Sequence, residues 1–296
     1  MYALYVDSAA DLPHRFFEEY DIRVIPMDYS INDQSFTFYT NAPDHDEICA
    51  RMYRAQREGA DVHTSQISPY RYVEIWTPEL QNGADILYLS FSSGMSATYE
   101  NALTAAKLLQ KDFPERTVEI VDSLSATAGQ GVLTIAAAQN RKAGMSLAEN
   151  AQWLRENAKY ICHRFVAGDL DYLHKGGRVS GAVAVIGSAL HIKPLLIIDD
   201  EGKLQVVGKA RGMQQAMKAL VQGYAKEQGV QNDTKWVLIS HSDDPEGSER
   251  LKQMVEAVAQ EGTRVETVCL SPVIGAHTGT QHLSVCGWGL HRMERK

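Results

Sequence analysis

Short apolar runs alternate with helical patterns through the first half of the chain. The apolar runs predict strands, which are expected at Tyr2–Val6, Ile22–Met27, Ile86–Phe91 and Val118–Val121. The intervening segments predict helices, which are expected near Pro13–Tyr20 and at Glu47–Gly59, Ser96–Lys111 and Thr127–Lys142. Repeated strand, turn and helix are typical of a parallel sheet with helices on its faces. We therefore predict an N-terminal Rossmann-like α/β domain.

The second half has a different pattern, in which strands are joined by hairpins as well as by helices. Ile192–Ile198 and Leu204–Val207 flank an Asp-Glu-Gly turn and predict a β-hairpin. Further predicted elements are helices at Met213–Gln228 and Pro245–Glu261 and strands at Trp236–Ser240, Arg264–Leu270 and Leu283–Trp288. This mixture predicts an α+β domain with a mixed or antiparallel sheet.

A domain boundary is expected between Ala158 and Ile161, after a predicted helix at Leu147–Asn157. The 296 residues then divide into an N-terminal domain, 1–160, and a C-terminal domain, 161–296. Ligands of parallel α/β sheets bind beyond the carboxyl ends of the strands. Polar pairs follow three predicted strands at that edge, namely Asp7-Ser8, Ser92-Ser93 and Asp122-Ser123. We therefore expect the chemistry to collect there.

Composition narrows the class of protein. The net charge of −8 disfavours a general nucleic-acid binder, because phosphate neutralisation needs a basic surface. The four cysteines form no CxxC pair and are expected to be buried in a reducing compartment. The N-terminus turns polar at Asp7 without a basic lead, and the apolar run at 182–190 is too short to span a bilayer. A cytoplasmic location without membrane insertion is expected.

The stretch SFSSGMSATYE, residues 90–100, gathers hydroxyl side chains at a predicted strand-to-helix junction. It resembles a G-x-S-x-G nucleophile elbow, but Thr98 stands where the last glycine is needed. A serine hydrolase would use Ser93 or Ser96 with His277, and Asp169 is one candidate for its acid. Alternatively, a serine here only caps the helix.

An anion cradle accounts better for so many hydroxyl groups. A helix N-terminus offers free N–H groups and a partial positive charge, to which hydroxyl groups add neutral donors. A second hydroxyl-rich loop, His63–Ser68, precedes Pro69, which favours the first turn of a helix. Two such loops in one α/β domain favour a shared site for a carboxylate over two separate helix caps.

Basic residues and a histidine lie beside glycines in the second half. Lys175–Arg178 and Lys209–Arg211 permit close approach to a phosphate or a partner, although their spacing alone favours a solvated turn and an exposed hairpin. His277 lies between two glycines, and it is either a ligand donor or a hydrogen-bonded turn residue. No HxH or HExxH motif occurs, so no metal site is predicted.

Several segments together resemble the DegV family. The resemblance spans nearly the whole chain, in the order of the family's motifs: VDSAADLP (6–13), TSQIS (64–68), SSGMSATY (92–99), VDS (121–123), DLDYLHKGGRVSG (169–181), IKP (192–194), KAR (209–211) and IGAHTG (274–279). It implies two α/β domains with one long-chain fatty acid buried between them. It also implies a lipid-binding protein that is not an enzyme, has no cofactor, and presents the carboxylate to the ATP-binding subunit of a fatty acid kinase.

The resemblance assigns roles to individual residues. It implies that Thr64, Ser65, Ser93 and Ser96 surround the carboxylate and that His277 lies close to it. It also implies that Arg178 and Arg211 lie near the pocket mouth, where a kinase or a phosphate docks.

Two departures from the family pattern change the backbone freedom of the polar loops. Ala97 replaces the glycine of the family's SGT motif, and Thr280-Gln281 replaces a Pro-Gly pair. The geometry of head-group binding is therefore expected to differ from that of other family members. The competing hypotheses are the serine-dependent esterase and a module for another small carboxylate or phosphate.

Overall fold

The structure is a computed structural model, and it describes residues 2–168, 170–180, 191–229 and 235–292. The apolar run at 182–190 and Asp169 lie outside the described residues. Three sheets organise the rest of the chain.

The first sheet is parallel throughout and has the strand order β2-β1-β6-β7. Its strands are β1 (Tyr2–Asp7), β2 (Ile22–Ile25), β6 (Asp85–Ser90) and β7 (Val118–Asp122). Every residue of β1 is buried, as are all but the first of β6. Strands covered on both faces read as continuous apolar runs, which is why the sequence predicted them. The predicted parallel N-terminal sheet is confirmed.

The helices of the first half mostly follow the predicted positions, and most of them pack on this sheet. They are α1 (Arg15–Glu19), α2 (His45–Arg57), α3 (Pro69–Gln81), α4 (Thr98–Asp112), α5 (Thr127–Lys142) and α6 (Leu147–Asn157), followed by a 3₁₀ turn at Ala158–Tyr160. Pro69 starts α3 as predicted, and the Ser68 side chain caps it by accepting from Arg71 N.

The predicted strand Ile22–Met27 is two strands in the structure, because it breaks at Pro26. Proline has no N–H to donate and fixes its own φ, so the chain leaves the parallel sheet there. It enters a small antiparallel sheet of order β4-β3-β5, which the sequence did not predict. The strands of this sheet are β3 (Met27–Ile31), β4 (Gln34–Phe38) and β5 (Val62–Thr64).

The second large sheet is mixed and has the order β10-β9-β8-β13-β11-β12. Its strands are β8 (Ile161–Val166), β9 (Ile192–Ile198), β10 (Leu204–Arg211), β11 (Trp236–His241), β12 (Arg264–Cys269) and β13 (Leu283–Trp288). Strands β11 and β12 are parallel and the remaining neighbours are antiparallel, which confirms the mixed C-terminal sheet. The predicted hairpin is β9–β10.

In the second half, the described residues form helices α7 (Asp171–Lys175), α8 (Met213–Glu227), α9 (Pro245–Glu256) and α10 (Pro272–Thr278). Helix α9 ends five residues before the predicted Glu261. Helix α10 was not predicted, and it carries His277, which the sequence placed in a turn near a strand start. In the described part of the chain, no helix is both long enough and apolar enough to cross a membrane.

Strands before residue 123 build the first and third sheets, whereas strands from residue 161 onward build the second. The boundary at 160/161 stays a prediction. One apolar cluster joins the two halves, since residues of β1 and α5 pack with Trp236, Leu238 and Trp288. The four cysteines are buried, as predicted, and carry free thiols.

Candidate functional site

A cavity of about 340 Å³ lies between the two halves of the chain. Its volume falls within the range of about 300–1,000 Å³ that is usual for small-molecule sites. Much of the wall is apolar and comes from both halves, namely Met27, Phe91, Met95, Ala97, Ala126, Phe165, Leu173, Ile198, Leu204, Val273 and Ile274. Such a wall suits an apolar ligand body.

Thr64 and His277 meet at the cavity although 213 residues separate them. Thr64 ends β5, His277 lies in the last turn of α10, and Thr64 Oγ1 is 2.8 Å from His277 Nε2. Burial, with smaller contributions from Arg178 and His63, lowers the pKa of His277 to about 4. The imidazole is therefore neutral near pH 7 and forms a neutral hydrogen bond with the hydroxyl group.

A glycine lets α7 pack against this histidine. A Cβ atom placed on Gly176 would lie 2.3 Å from His277 Nδ1, which is closer than real Cβ contacts come. Gly176 is the residue that ends α7, so its missing side chain sets the distance between α7 and α10. The Lys-Gly-Gly-Arg motif therefore has a packing role beside the site.

We define the mouth as Thr64, Ser65, Ser96 and His277, all of which line the cavity. Ser65 is exposed and Ser96 is half-buried, so this part of the cavity reaches solvent. Ser96 stands just before α4; its Oγ accepts from Thr98 N at 3.2 Å and lies 2.9 Å from Thr98 Oγ1. The N-terminus of α4 adds a partial positive charge beside these hydroxyl groups.

The serines of the stretch 90–100 have two different roles: one lines the cavity, and others make hydrogen bonds within the protein. Ser96 lines the cavity, whereas Ser93 is exposed and does not belong to the cavity lining. The Ser93 backbone N–H donates to Asp122 Oδ1 at 3.2 Å. Ser92 is buried, and its Oγ donates to Gly202 O at 2.8 Å in the turn between β9 and β10. Part of the stretch thus fastens the two halves together.

The two predicted basic residues have different surroundings. Arg178 lines the cavity and is the only one of its described lining residues with a permanent charge. Its Nε donates to Met95 O at 3.1 Å and its Nη1 to Gly176 O, and burial lowers its pKa. Arg211 ends β10, is exposed, and is absent from the lining.

The acidic residues at the strand ends have structural roles. Asp7 is fully buried, and its carboxylate accepts from Tyr88 OH at 2.7 Å, Phe91 N at 2.7 Å and Ala9 N at 3.1 Å. These bonds fix the backbone at Phe91, whose side chain lines the cavity. The oxygen atoms of Asp7 are thus occupied within the protein, and the carboxylate supports the cavity wall from behind.

The sequence reasoning missed three polar residues that line the cavity on one face of β13. We call them the polar strip: His282, which precedes the strand, Ser284 and Cys286. All three are at most 2 % exposed. Their signal is the alternation of polar with apolar residues in His-Leu-Ser-Val-Cys, which has a meaning only once the cavity face is known.

No cluster of three potential metal ligands occurs among the residues that the structure describes. The polar side chains at the cavity carry hydroxyl groups, imidazoles, an amide, a thiol and one guanidinium group. This set can donate hydrogen bonds to an oxygen-rich head group and can enclose an apolar body.

Comparisons with known proteins identify the family of the chain. A family profile described as "Uncharacterised protein, DegV family" matches residues 1–288. A DegV domain-containing protein of Clostridium perfringens is 36% identical over 285 residues, which cover 96% of each chain.

Solved structures are also similar over nearly the whole length. A DegV lipid-binding protein from Thermotoga maritima has a TM-score of 0.84 at 27% identity, with 99% of this chain and 100% of that chain covered. A DegV family protein from Thermus thermophilus, described by its fatty acid binding, has a TM-score of 0.81 at 26% identity, with 97% and 99% covered. By profile, sequence and fold, the chain belongs to the DegV family.

Proposed function

We propose that this protein binds one long-chain fatty acid, with the acyl chain in the cavity and the carboxylate at the mouth. The observation that carries the proposal is a largely apolar cavity between the two halves whose open part holds the Thr64–His277 hydrogen bond. The similar proteins from Thermotoga maritima and Thermus thermophilus, described by lipid or fatty acid binding, support the same ligand class.

The acyl chain would supply most of the affinity. Each buried methylene group contributes about 0.8 kcal/mol, so a long tail needs little help from its head group. The wall residues Phe91, Phe165 and Ile274 offer the apolar surface for such a tail. A small polar carboxylate or phosphate ligand would leave this surface without a partner, so the cavity favours the fatty acid.

The carboxylate head group mainly needs hydrogen-bond donors, because burying a carboxylate without them costs free energy. Thr64, Ser65 and Ser96 would donate through their hydroxyl groups, and Arg178 would add positive charge nearby. A neutral His277 can donate from one ring nitrogen without holding the ligand by a full charge. Ser93 stays a predicted contact, and it would have to act from the surface beside the mouth.

The protein would act as a carrier and not as an enzyme. We propose that it presents the carboxylate to the ATP-binding subunit of a fatty acid kinase, which would form the acyl phosphate. The supporting observation is that the mouth is open to solvent beside Arg178, so that a phosphate donor can approach. Arg211 would belong to the docking surface, since it is exposed and lies away from the cavity.

No observation favours the esterase. A general base works best with a pKa near the operating pH, whereas the pKa of His277 is lowered to about 4. Its Nε2 lies next to Thr64 and not next to a serine, and Ser96 Oγ lies beside Thr98 Oγ1. Labelling by a fluorophosphonate probe, abolished by Ser93→Ala or Ser96→Ala, would be needed to revive this hypothesis.

The first test is mass spectrometry of the intact protein under native conditions after expression in bacteria, followed by lipid extraction. We expect one bound fatty acid per chain. Protein that is consistently free of lipid, and that does not bind added oleate or palmitate after purification, would contradict the proposal.

A Thr64→Val variant tests the placement of the head group. Valine keeps the shape of threonine but removes the hydroxyl group, so we expect about tenfold weaker binding of palmitate. Binding of palmitate methyl ester, which has no charged head group, is the control and should change much less. Equal losses for acid and ester would place the carboxylate elsewhere.

A further inference from the structure

The polar strip interrupts a wall that an unsubstituted hydrocarbon chain would need to be apolar throughout. His282, Ser284 and Cys286 share one face of β13, whereas Leu283 and Val285 point to the opposite face and pack in an apolar core with α8 and α9. The sheet is therefore covered on both faces, and the polar residues lie on the cavity side. Burying polar groups against methylene groups costs free energy unless they find hydrogen-bond partners.

Hydrogen bonds connect the strip to Ser240 on the neighbouring strand β11. Ser240 Oγ lies 2.6 Å from Ser284 Oγ and 3.3 Å from His282 Nε2, and Ser240 N donates to Ser284 Oγ at 3.2 Å. Cys286 Sγ lies 3.8 Å from Ser284 Oγ. The result is a short relay of hydroxyl groups and imidazole along the cavity wall.

Burial keeps the imidazole of this relay neutral. His282 is 2 % exposed, and its pKa is lowered to about 3, first by burial and then by His241. A neutral imidazole has one N–H donor and one acceptor nitrogen. The Nδ1 atom of His282 makes no hydrogen bond with any residue that the structure describes.

The relay has two possible directions, and each leaves one donor unused. If Ser284 donates to Ser240 and Ser240 donates to His282 Nε2, then His282 Nδ1 carries a proton without an acceptor. If His282 Nε2 donates to Ser240 and Ser240 donates to Ser284, then the hydroxyl proton of Ser284 has no strong acceptor. In both directions an oxygen atom of a ligand would complete the network.

We propose that the cavity selects an acyl chain that carries an oxygen substituent, best a hydroxyl group, which His282 and Ser284 recognise. The proposal rests on the proposed fatty acid binding and names the class of fatty acid. A hydroxyl group suits both directions of the relay, because it accepts a hydrogen bond and also donates one. The ring of Phe165 lies 5.4 Å from that of His282 and gives this contact an apolar neighbour.

The test compares the affinities of the delipidated protein for stearic acid and for a set of hydroxystearic acids that differ in the position of the hydroxyl group. We expect at least one isomer to bind about tenfold more tightly than stearic acid, since one neutral hydrogen bond replaces an unused donor. The proposal is overturned if every isomer binds no better than stearic acid. If neither stearic acid nor any hydroxystearic acid binds, the proposed fatty acid binding fails and this inference fails with it.

Two variants test whether the preference for hydroxystearic acid over stearic acid depends on the polar strip. Ser284→Ala and His282→Phe each remove one member of the relay, and each should lower the ratio of the two affinities towards one while stearic acid still binds. Ser65→Ala is the matched control at the mouth, and it should weaken both ligands alike and leave the ratio unchanged. A ratio that survives in both strip variants would overturn the assignment, and the wild-type comparison stands even if one variant does not fold.

Discussion

The mouth and the polar strip are two polar regions of one cavity, and they are built in opposite ways. The mouth takes its side chains from β5, α10 and the loop before α4, with Ser65 exposed and Arg178 nearby. The strip takes its side chains from one strand and the residue before it, and all of them are buried. His282 and Ser284 are linked through Ser240, and Cys286 contacts Ser284. A head group that must be reached from outside needs the first arrangement, whereas recognition inside an apolar wall needs the second.

The two histidines sharpen this difference. His277 is half-buried and His282 is buried, and both are neutral near pH 7. His277 shares a hydrogen bond across the two halves of the chain, whereas His282 shares one only within the second sheet. Loss of the first bond should therefore affect the contact between the halves and the head group together. Loss of the second should leave the head group untouched.

The largest effect on palmitate affinity is expected from a bulky side chain that fills the apolar part of the cavity, which both polar regions share. Ala126 lines the cavity, is 5 % exposed and stands just before α5. An Ala126→Trp substitution should weaken palmitate binding about a thousandfold, because it displaces about five methylene groups worth about 0.8 kcal/mol each. Isothermal titration calorimetry with delipidated protein measures this loss.

The matched control for this substitution lies at the other end of the same helix. Ala143 follows the last residue of α5 and is exposed, so Ala143→Trp should leave palmitate affinity unchanged. Thermal unfolding of both variants checks that they fold, since overpacking costs about 1–3 kcal/mol. Unimpaired binding by a folded Ala126→Trp variant would mean that the acyl chain does not occupy this cavity.

The next effect is on stability as a function of pH. Both histidines have a lowered pKa in the folded protein. Below pH 6.5 the unfolded chain therefore binds protons at these histidines that the folded chain does not bind. Stability is therefore complete above about pH 6.5 and is lost as the pH falls towards about 4 for His277 and about 3 for His282. The loss from His277 amounts to about 3 kcal/mol.

Urea unfolding of delipidated protein at several pH values separates the two histidines. His277→Gln should make the decline between pH 6.5 and about 4 less steep but not abolish it, because His282 contributes over the same range, and should leave the decline below pH 4 unchanged. His282→Phe should make the decline between pH 6.5 and about 4 less steep as well, and should in addition remove the contribution of this residue below pH 4. A profile that is the same in both variants and in the wild type would show that neither histidine controls acid stability.

The sequence predicted the elements whose signals are local. Strands β1, β6 and β7 are apolar runs, and the β9–β10 hairpin has a recognisable turn. The small third sheet was missed because β4 and β5 have few apolar residues to bury and depend on β3 for pairing. Helix α10 was missed because it has seven residues with a glycine among them, although Pro272 at its start was a usable signal.

The candidate site divides in the same way. The hydroxyl loops and His277 were predictable because they carry unusual residues at the ends of elements, and the structure brings Thr64 and His277 into contact. The polar strip was not predictable, because Ser284 and Cys286 have an ordinary alternating pattern whose inner face only the tertiary structure decides. Ser93 was predicted from the motif but is absent from the cavity lining, because a motif does not show which of its serines faces the cavity.

The smallest effect is expected from the two arginines, which the sequence treated alike. Arg178 lines the cavity and Arg211 does not, so Arg178→Gln should weaken palmitate binding by about threefold, whereas Arg211→Gln should leave it unchanged. The loss in Arg178→Gln should shrink at high salt, because the charge is only half-buried. If both arginines dock a kinase subunit, both variants should slow ATP-dependent acyl phosphate formation, measured as hydroxamate. Equal palmitate binding by the two variants would show that Arg178 does not contribute to binding of the head group, which would then be held by neutral donors alone.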